Sequence, residues 1–385
     1  MRNAIGDPVS GADYLNQEKE LKSALHLLEN RNSFLLLGIR RTGKSSFLQE
    51  LARQLRMNEK NIVVELNCQG YQAALEFYQE LYHKLPKDLQ TRLKDLLTNS
   101  KTLPGRLIDS LTNLISEVDV GEVRLKFRTE WEAYIQPLDD ALSDFFKDHP
   151  NVFLFLDELP YFFQNLSDSE RHIQDIQRIL TSLRIWRQGG LAMGVAGSLN
   201  LHQQLEGLGI SRKLLAGLTT LRLKPFSRES AHKLLEELLK GKNYDWWTNE
   251  ITEKLLELMP DYVPYFIQLA FHHLAVNQCK TPEEVEHAYH NDIAPNYQSD
   301  FTYQFDDRLG KFSKESIASA KAILDCLALQ GPKASHELQA TLGDKFQYDA
   351  LTRLLDFEFI TLKDEQYVFS LNILKDWWRQ KNGLK

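Results

Sequence analysis

Cysteine is scarce, at three in 385 residues, and Cys68, Cys279 and Cys326 form neither a CxxC pair nor a cysteine–histidine cluster. That spacing excludes a disulfide framework and a structural zinc site, and it suits a reducing, cytoplasmic compartment. Long apolar runs are also missing. The longest, Val152 to Leu156, falls far short of the ~20 residues that cross a bilayer. The opening segment MRNAIGDPVSGADYLNQEKE has no apolar stretch after Arg2, so neither a secretory leader nor a membrane partner is expected. The histidines, His272 and His273 included, stand at no metal-binding spacing, and no haem or flavin signature accompanies them. Nor is there an excess of positive charge: 46 basic against 53 acidic residues give a net charge of -7. Any nucleic-acid site therefore has to be a local patch rather than a whole-protein field.

What is present is an ordinary globular composition, 43% hydrophobic and 26% charged, in a chain long enough for two to three domains at ~150 residues each. Leu15, Leu21, Leu25 and Leu28 recur at helical spacing and are followed by a short buried strand, Ser33 to Leu37. Helical spacing resumes over Phe47 to Met57, and NIVVELN at 61–67 reads as a second strand. Strand, glycine-containing loop, helix and strand in that order open a parallel α/β sheet. Residues 71–148 read as a mostly helical insertion, with an alternating strand at 123–128 and a helix from Thr129 to Lys147. Further strands are expected at NVFLFLD, LAMGVAGS and TTLRLKP. The first domain is thus placed at 1–226, a helical domain at 227–310, and a third at 311–385. In the last, three helices, two short strands (FITL and QYVFS) and a closing helix with Trp377 and Trp378 suggest a winged helix-turn-helix. Those tryptophans, and the Phe/Tyr-rich stretch 262–271, read as core anchors rather than as a base-stacking platform.

Two stretches carry chemistry. Gly38, Gly43, Lys44 and Ser45 satisfy G-x-x-x-x-G-K-[ST] between a strand and a helix. In that setting the backbone N–H groups of the loop, with Arg41, Thr42 and Ser46, turn toward nucleotide phosphates. Lys44 pairs with the β- and γ-oxygens, and the Ser45 hydroxyl ligates Mg²⁺. Asp157 and Glu158 follow the apolar run VFLFL and so fall at the carboxyl edge of the sheet. The expected roles are metal holding for Asp157 and water activation for Glu158. Ser198, after the strand LAMGVAG, either points its hydroxyl at the γ-phosphate or caps the helix LNLHQQL. Arg184, Arg187, Arg40 and Arg41 are candidates for an arginine that reaches a neighbouring subunit's nucleotide, against the plainer reading of solvated surface arginines.

Together these pieces resemble the AAA+/STAND-related "archaeal ATPase" families, which also occur in bacteria. The resemblance spans nearly the whole chain through GDPVSGADYLNQEKEL, LLLGIRRTGKSS, FLFLDELPYF, VAGSLNLHQQL with LRLKPFS, VPYFIQLAFHHL and YVFSLNILKDWW. It implies a parallel-sheet P-loop core, a helical lid and a C-terminal winged helix. It also implies ATP and Mg²⁺ as cofactors, Mg²⁺-dependent ATP hydrolysis, Pro8 and Val9 as walls of the adenine pocket, and a lid that closes over the nucleotide near Pro264. Asn16-Gln17 and Tyr262 depart from the family pattern, at a Gly-Arg pair and at a glycine two residues before the lid proline. The wider class works as nucleotide-dependent switches, including in bacterial signalling and defence. The alternatives are a DNA-binding initiator or transposition-type loader, and a nucleotide-stabilised scaffold with negligible turnover. From Lys311 to Lys385 there are 11 Lys and Arg against 10 Asp and Glu, and FQYDALTRLLDF offers Arg353 alone as a cation. Duplex affinity needs several cations. A protein partner, self-association or packing on the chain's own ATPase core is therefore the favoured role for this domain.

Overall fold

The computed structural model describes residues 1–15, 17–39, 41–98, 136, 138–166, 170–197, 201–259, 261–295, 305–306, 308–310, 312–313 and 315–384. By their contacts they fall into two compact units. One comprises Pro8–Arg40 and Lys44–Leu223; the other comprises Met1–Asp7, Arg41–Gly43 and Lys224–Lys385.

The first unit is built on five strands, β1 (Ser33–Leu37), β2 (Ile62–Asn67), β3 (Val152–Asp157), β4 (Ala192–Ala196) and β5 (Leu218–Arg222). They lie in the order β2-β3-β4-β1-β5, and every pairing is parallel. A parallel sheet is covered on both faces, which is why β1, β3 and β4 are near-continuous apolar runs. On one face Phe34, Leu36, Phe153 and Phe155 pack with Leu28 of α1 (Glu18–Glu29) and with Phe47 and Leu51 of α2 (Lys44–Arg56). The alternate residues Leu35, Leu37, Leu154 and Leu156 face the other way. There they meet Phe77 of α3 (Ala74–Lys84), with α4 (Lys87–Thr98) next in the chain, Phe162 of α5 (Leu159–Asn165) and Trp186 of α6 (Glu170–Gln188). A short α7 (Leu201–Gly207) follows β4.

Gly194 in β4 stands opposite Phe34, and a Cβ there would come within 2.4 Å of Phe34 Cζ and 2.9 Å of Phe155 Cδ1. Glycine at this point lets the two rings fill the sheet face. Of the insertion expected at 71–148, α3, α4 and a helical stretch at 138–148 are described. The strand expected at 123–128 and the first part of the helix expected from Thr129 lie outside the described residues.

The second unit carries α8 (Arg228–Leu239), α9 (Asn249–Leu258), α10 (Pro264–Asn277) and α11 (Pro282–Ala288), which runs into a π-turn at Tyr289–Ile293. Thr281 Oγ1 accepts from Glu284 N at 3.3 Å and Glu284 Oε2 accepts from Thr281 N, a reciprocal capping box written into T-P-E-E. Then come α12 (Ser316–Gln330), α13 (Ser335–Leu342), α14 (Tyr348–Asp356), an antiparallel pair β6 (Ile360–Lys363) and β7 (Gln366–Phe369), and α15 (Asn372–Lys381). Leu324, Leu354, Phe359, Trp377 and Trp378 are buried in this last module, and Phe266 and Phe271 in the helices before it. Three helices and a hairpin are the element order of a winged helix. No helix among the described residues is long and apolar enough to cross a membrane.

Candidate active site

β1 ends at Leu37 and α2 begins at Lys44, so the loop between them is held at both ends by the sheet unit. The Lys44 side chain is nearly buried, and its ammonium donates to the carbonyls of Gly38 at 2.7 Å and Ile39 at 3.1 Å. This holds the cation inside the curl of the loop, the position from which an ammonium meets phosphate oxygens. Gly43 has φ +91°, a left-handed conformation that favours glycine.

The adjacent serines serve different partners. The Ser45 hydroxyl stands close to the carboxylate of Asp157 at the end of β3 and favours its charged form. Ser46 Oγ accepts from the backbone N–H of Val9 at 3.1 Å. Burial pushes the Asp157 carboxyl upward, while Ser45 and the nearby Lys44 ammonium oppose that rise. Glu158 follows at φ +54°, and its N–H donates to Asp157 Oδ1 at 3.0 Å. A left-handed glutamate between a strand and a helix stores backbone strain and turns its side chain out of the strand's alternation. α5 starts directly after it, with Pro160 in the first turn. The apolar periodicity alone does not show this helix. Gly197, at the end of β4, leaves room for Pro160: a Cβ there would lie 2.4 Å from Pro160 Cδ.

Ser45 and Asp157 offer only hard oxygen donors, the set that Mg²⁺ takes alongside nucleotide phosphates and water, so the residues present fit that ion. Ser198 lies outside the described residues, as do Asn16 and Arg40.

The remaining expected residues fall as follows. Pro8 is exposed and Val9 half-buried at the start of a segment that runs along α2. Thr42 is buried. In the second unit, the Arg41 guanidinium lies over the ring of Tyr265, 4.2 Å from its centroid, and Tyr265 follows Pro264 in the first turn of α10. Tyr262, where the family pattern has glycine, takes φ +44° and accepts from Phe226 N through its carbonyl at 3.0 Å. Arg187 donates to the carbonyls of Leu214 and Ala216 at 3.2 and 3.1 Å, and Arg184 to that of Lys213 at 3.4 Å. Arg187 is thus tied to the loop before β5 of its own chain. A cavity of about 410 Å³ lined by Ser10, Gln49, Arg53, Arg56, Met57 and Glu65 includes no residue of the phosphate loop or of the acidic pair.

Sequence reasoning missed Glu50. Its carboxylate accepts from Gly11 N at 2.7 Å, Arg53 Nε at 2.9 Å, Arg53 Nη2 at 2.7 Å and Gln54 Nε2 at 2.8 Å. A glutamate on a helical period reads as solvated face, and only its buried position showed otherwise.

The sheet order, the loop between β1 and α2 and the acidic end of β3 have the α/β fold of a P-loop NTPase core. The solved structures agree. The Walker-type ATPase PABY2304 of Pyrococcus abyssi is similar over 98% of this chain and 99% of that one, with TM-score 0.65 and 18% identity. The ORC2 protein of Aeropyrum pernix, solved in ADPNP–ADP complexes, is similar over 99% and 98%, with TM-score 0.56 and 10% identity. No protein-family model and no curated protein matches the sequence.

Proposed function

We propose that the protein binds ATP with Mg²⁺ and hydrolyses it, and that its nucleotide state switches its conformation or assembly. The observation that carries this is the proximity of Ser45 of the phosphate loop and Lys44 to the Asp157 carboxylate at the end of β3, which brings the two motifs into one oxygen-lined corner. In this reading Lys44, the loop N–H groups from Gly38 to Ser46, and the N-terminus of α2 neutralise and orient the β- and γ-phosphates. Ser45 and Asp157 hold Mg²⁺, which supplies charge neutralisation on the transferred phosphoryl group. Glu158 orients a water toward the γ-phosphorus and takes its proton as ADP leaves. Ser198 is assigned a contact with the γ-phosphate or that water. Pro8 and Val9 wall the base, and Pro264 belongs to the lid. Cytoplasmic residence, a protein partner or self-association, and a role in bacterial signalling or defence are the finer parts of the same proposal. So are the division at 226 and 310 and slow turnover without a partner.

The test is phosphate release per chain across protein concentration, with Lys44→Ala as the control. A silent Lys44→Ala supports the site, and turnover that survives in it overturns the reading. Turnover per chain that rises with concentration means subunits complete the site, and Arg184 is then the next substitution. A flat, slow rate means a switch that waits for a partner.

A second reading, a DNA-binding initiator or loader, is favoured by the fold shared with the Aeropyrum pernix ORC2 protein. Against it, Arg353 on α14 is ion-paired with Asp349 at 3.1 Å, and the module is near neutral. Duplex binding with a steep salt dependence that Arg353→Ala weakens is the result that would favour this reading.

A further inference from the structure

Glu50 holds more than its own helix. Arg53 and Gln54, one turn on in α2, already give its carboxylate three donors, yet Oε2 also accepts from Gly11 N, 39 positions earlier in the chain. The residue is 3% exposed, and this ring of donors lowers its carboxyl to about 2, so it is ionised at neutral pH. Charge-assisted bonds of this kind are about twice as strong as neutral ones.

Gly11 lies in the segment that precedes α1. Its φ of +63° favours glycine, and the turn Gly11–Asp13 is closed by Tyr14 N donating to Gly11 O at 3.1 Å. Two residues earlier, Val9 N donates to Ser46 Oγ; three residues later, Tyr14 packs on the apolar face formed by α1, α2 and the sheet. The segment from Pro8 to Tyr14 is thus a strap fixed to α2 at Val9 and Gly11. Its first two residues are the ones proposed above to wall the base, and the serine that fixes Val9 is next to Ser45 of the phosphate loop.

We propose that Glu50 is a positioning residue for the base end of the nucleotide site: by anchoring Gly11 it holds the Pro8–Val9 wall in its binding position before the nucleotide arrives. This rests on the reading of the chain as an ATP-binding protein. Pre-ordering a strap removes an entropy cost that each binding event would otherwise carry. Glu50 touches neither phosphate nor base in this scheme, so its removal should be felt by the purine and not by the phosphates.

The experiment measures the dissociation constants of ATP and of inorganic tripolyphosphate, both with Mg²⁺, for the full chain and for Glu50→Ala, Glu50→Gln and Lys44→Ala. For Glu50→Ala we expect ATP to weaken about 10- to 100-fold, the loss of a hydrogen bond to a charged group, while tripolyphosphate stays within about twofold. Glu50→Gln, which keeps an acceptor of the same reach, should recover most of the ATP affinity. Should Glu50→Ala fail to fold, Glu50→Gln carries the test through a smaller loss confined to ATP. Equal losses for both ligands place Glu50 in the support of the phosphate loop and overturn the proposal, as does no loss for either. Lys44→Ala separates the two levels. If it leaves ATP binding intact, the ATP-binding reading itself fails; if it weakens both ligands while the Glu50 variants show no selective loss, only the present proposal falls.

Discussion

Glu158 and Asp139 are two acids in different settings, one at a strained turn and one in the core. Glu158 takes φ +54° next to the half-buried Asp157, a conformation that costs a residue with a side chain on the order of 1–3 kcal/mol. With the assigned role as water activator, Glu158→Gln should cut turnover by about 10²- to 10⁴-fold and leave the dissociation constant for ATP unchanged. Single-turnover phosphate release alongside calorimetric titration reads both. Asp139 sits far from that chemistry, buried against α6, with Ser182 Oγ at 2.6 Å and Tyr78 Oη beyond it, 2.9 Å from the same hydroxyl. Burial raises its carboxyl from 3.8 to about 7. The folded state therefore binds this proton more tightly than the unfolded chain does. The stability it contributes is present at low pH and is lost as pH rises from about 4 to about 7. Asp139→Asn, neutral at every pH, should raise the melting temperature at pH 8, by a stability gain on the order of 1–3 kcal/mol, and leave it nearly unchanged at pH 4.

At the scale of elements, the contacts that matter most join segments distant in sequence. Phe34 of β1 and Phe155 of β3 close over Gly194 of the strand between them. Gly194→Ala forces a methyl group into two fixed rings, so a loss of about 1–3 kcal/mol is expected in urea unfolding. In the second unit, Asp261, just before α10, reaches the N-terminus of α15. Oδ1 accepts from Asn372 N at 2.7 Å and from Asn372 Nδ2 at 3.1 Å, and Oδ2 accepts from Ile373 N at 2.9 Å. A carboxylate there supplies the cap that Leu371, at the N-cap position, lacks the side chain to provide. Asp261→Ala should destabilise the module by about 1–2 kcal/mol, seen as faster amide exchange in α15. The capping box of α11 is a local signal, because Thr281 and Glu284 lie within one turn. The cap of α15 is not, because its acceptor lies 111 positions away.

For the whole molecule, the proposed switch requires that nucleotide states differ in structure. A limited protease digest should give distinct patterns with an ATP analogue, with ADP and without nucleotide, and Lys44→Ala should give the last pattern in every case. Identical patterns across the three conditions would sink the switch while leaving hydrolysis standing. By their contacts the helices from Arg228 to Ile293 and the C-terminal module group into one unit. Nothing local in the sequence reports that the helices from Arg228 to Ile293 and the C-terminal module share contacts such as that of Asp261 with Asn372.

The sequence by itself determined the parts whose signals are local. A β1 strand running into G-I-R-R-T-G-K-S-S, an apolar β3 ending in Asp157-Glu158, and helices with caps a turn away each need only a few consecutive residues to be recognised. Side-chain period and turn chemistry fix them before any packing occurs. Only the tertiary structure decided the strand order β2-β3-β4-β1-β5, the approach of Ser45 to Asp157 and the anchoring of Gly11 by Glu50. These depend on which apolar faces bury against each other. The buried carboxylates then take whatever donors that burial brings within reach, and no spacing along the chain records them.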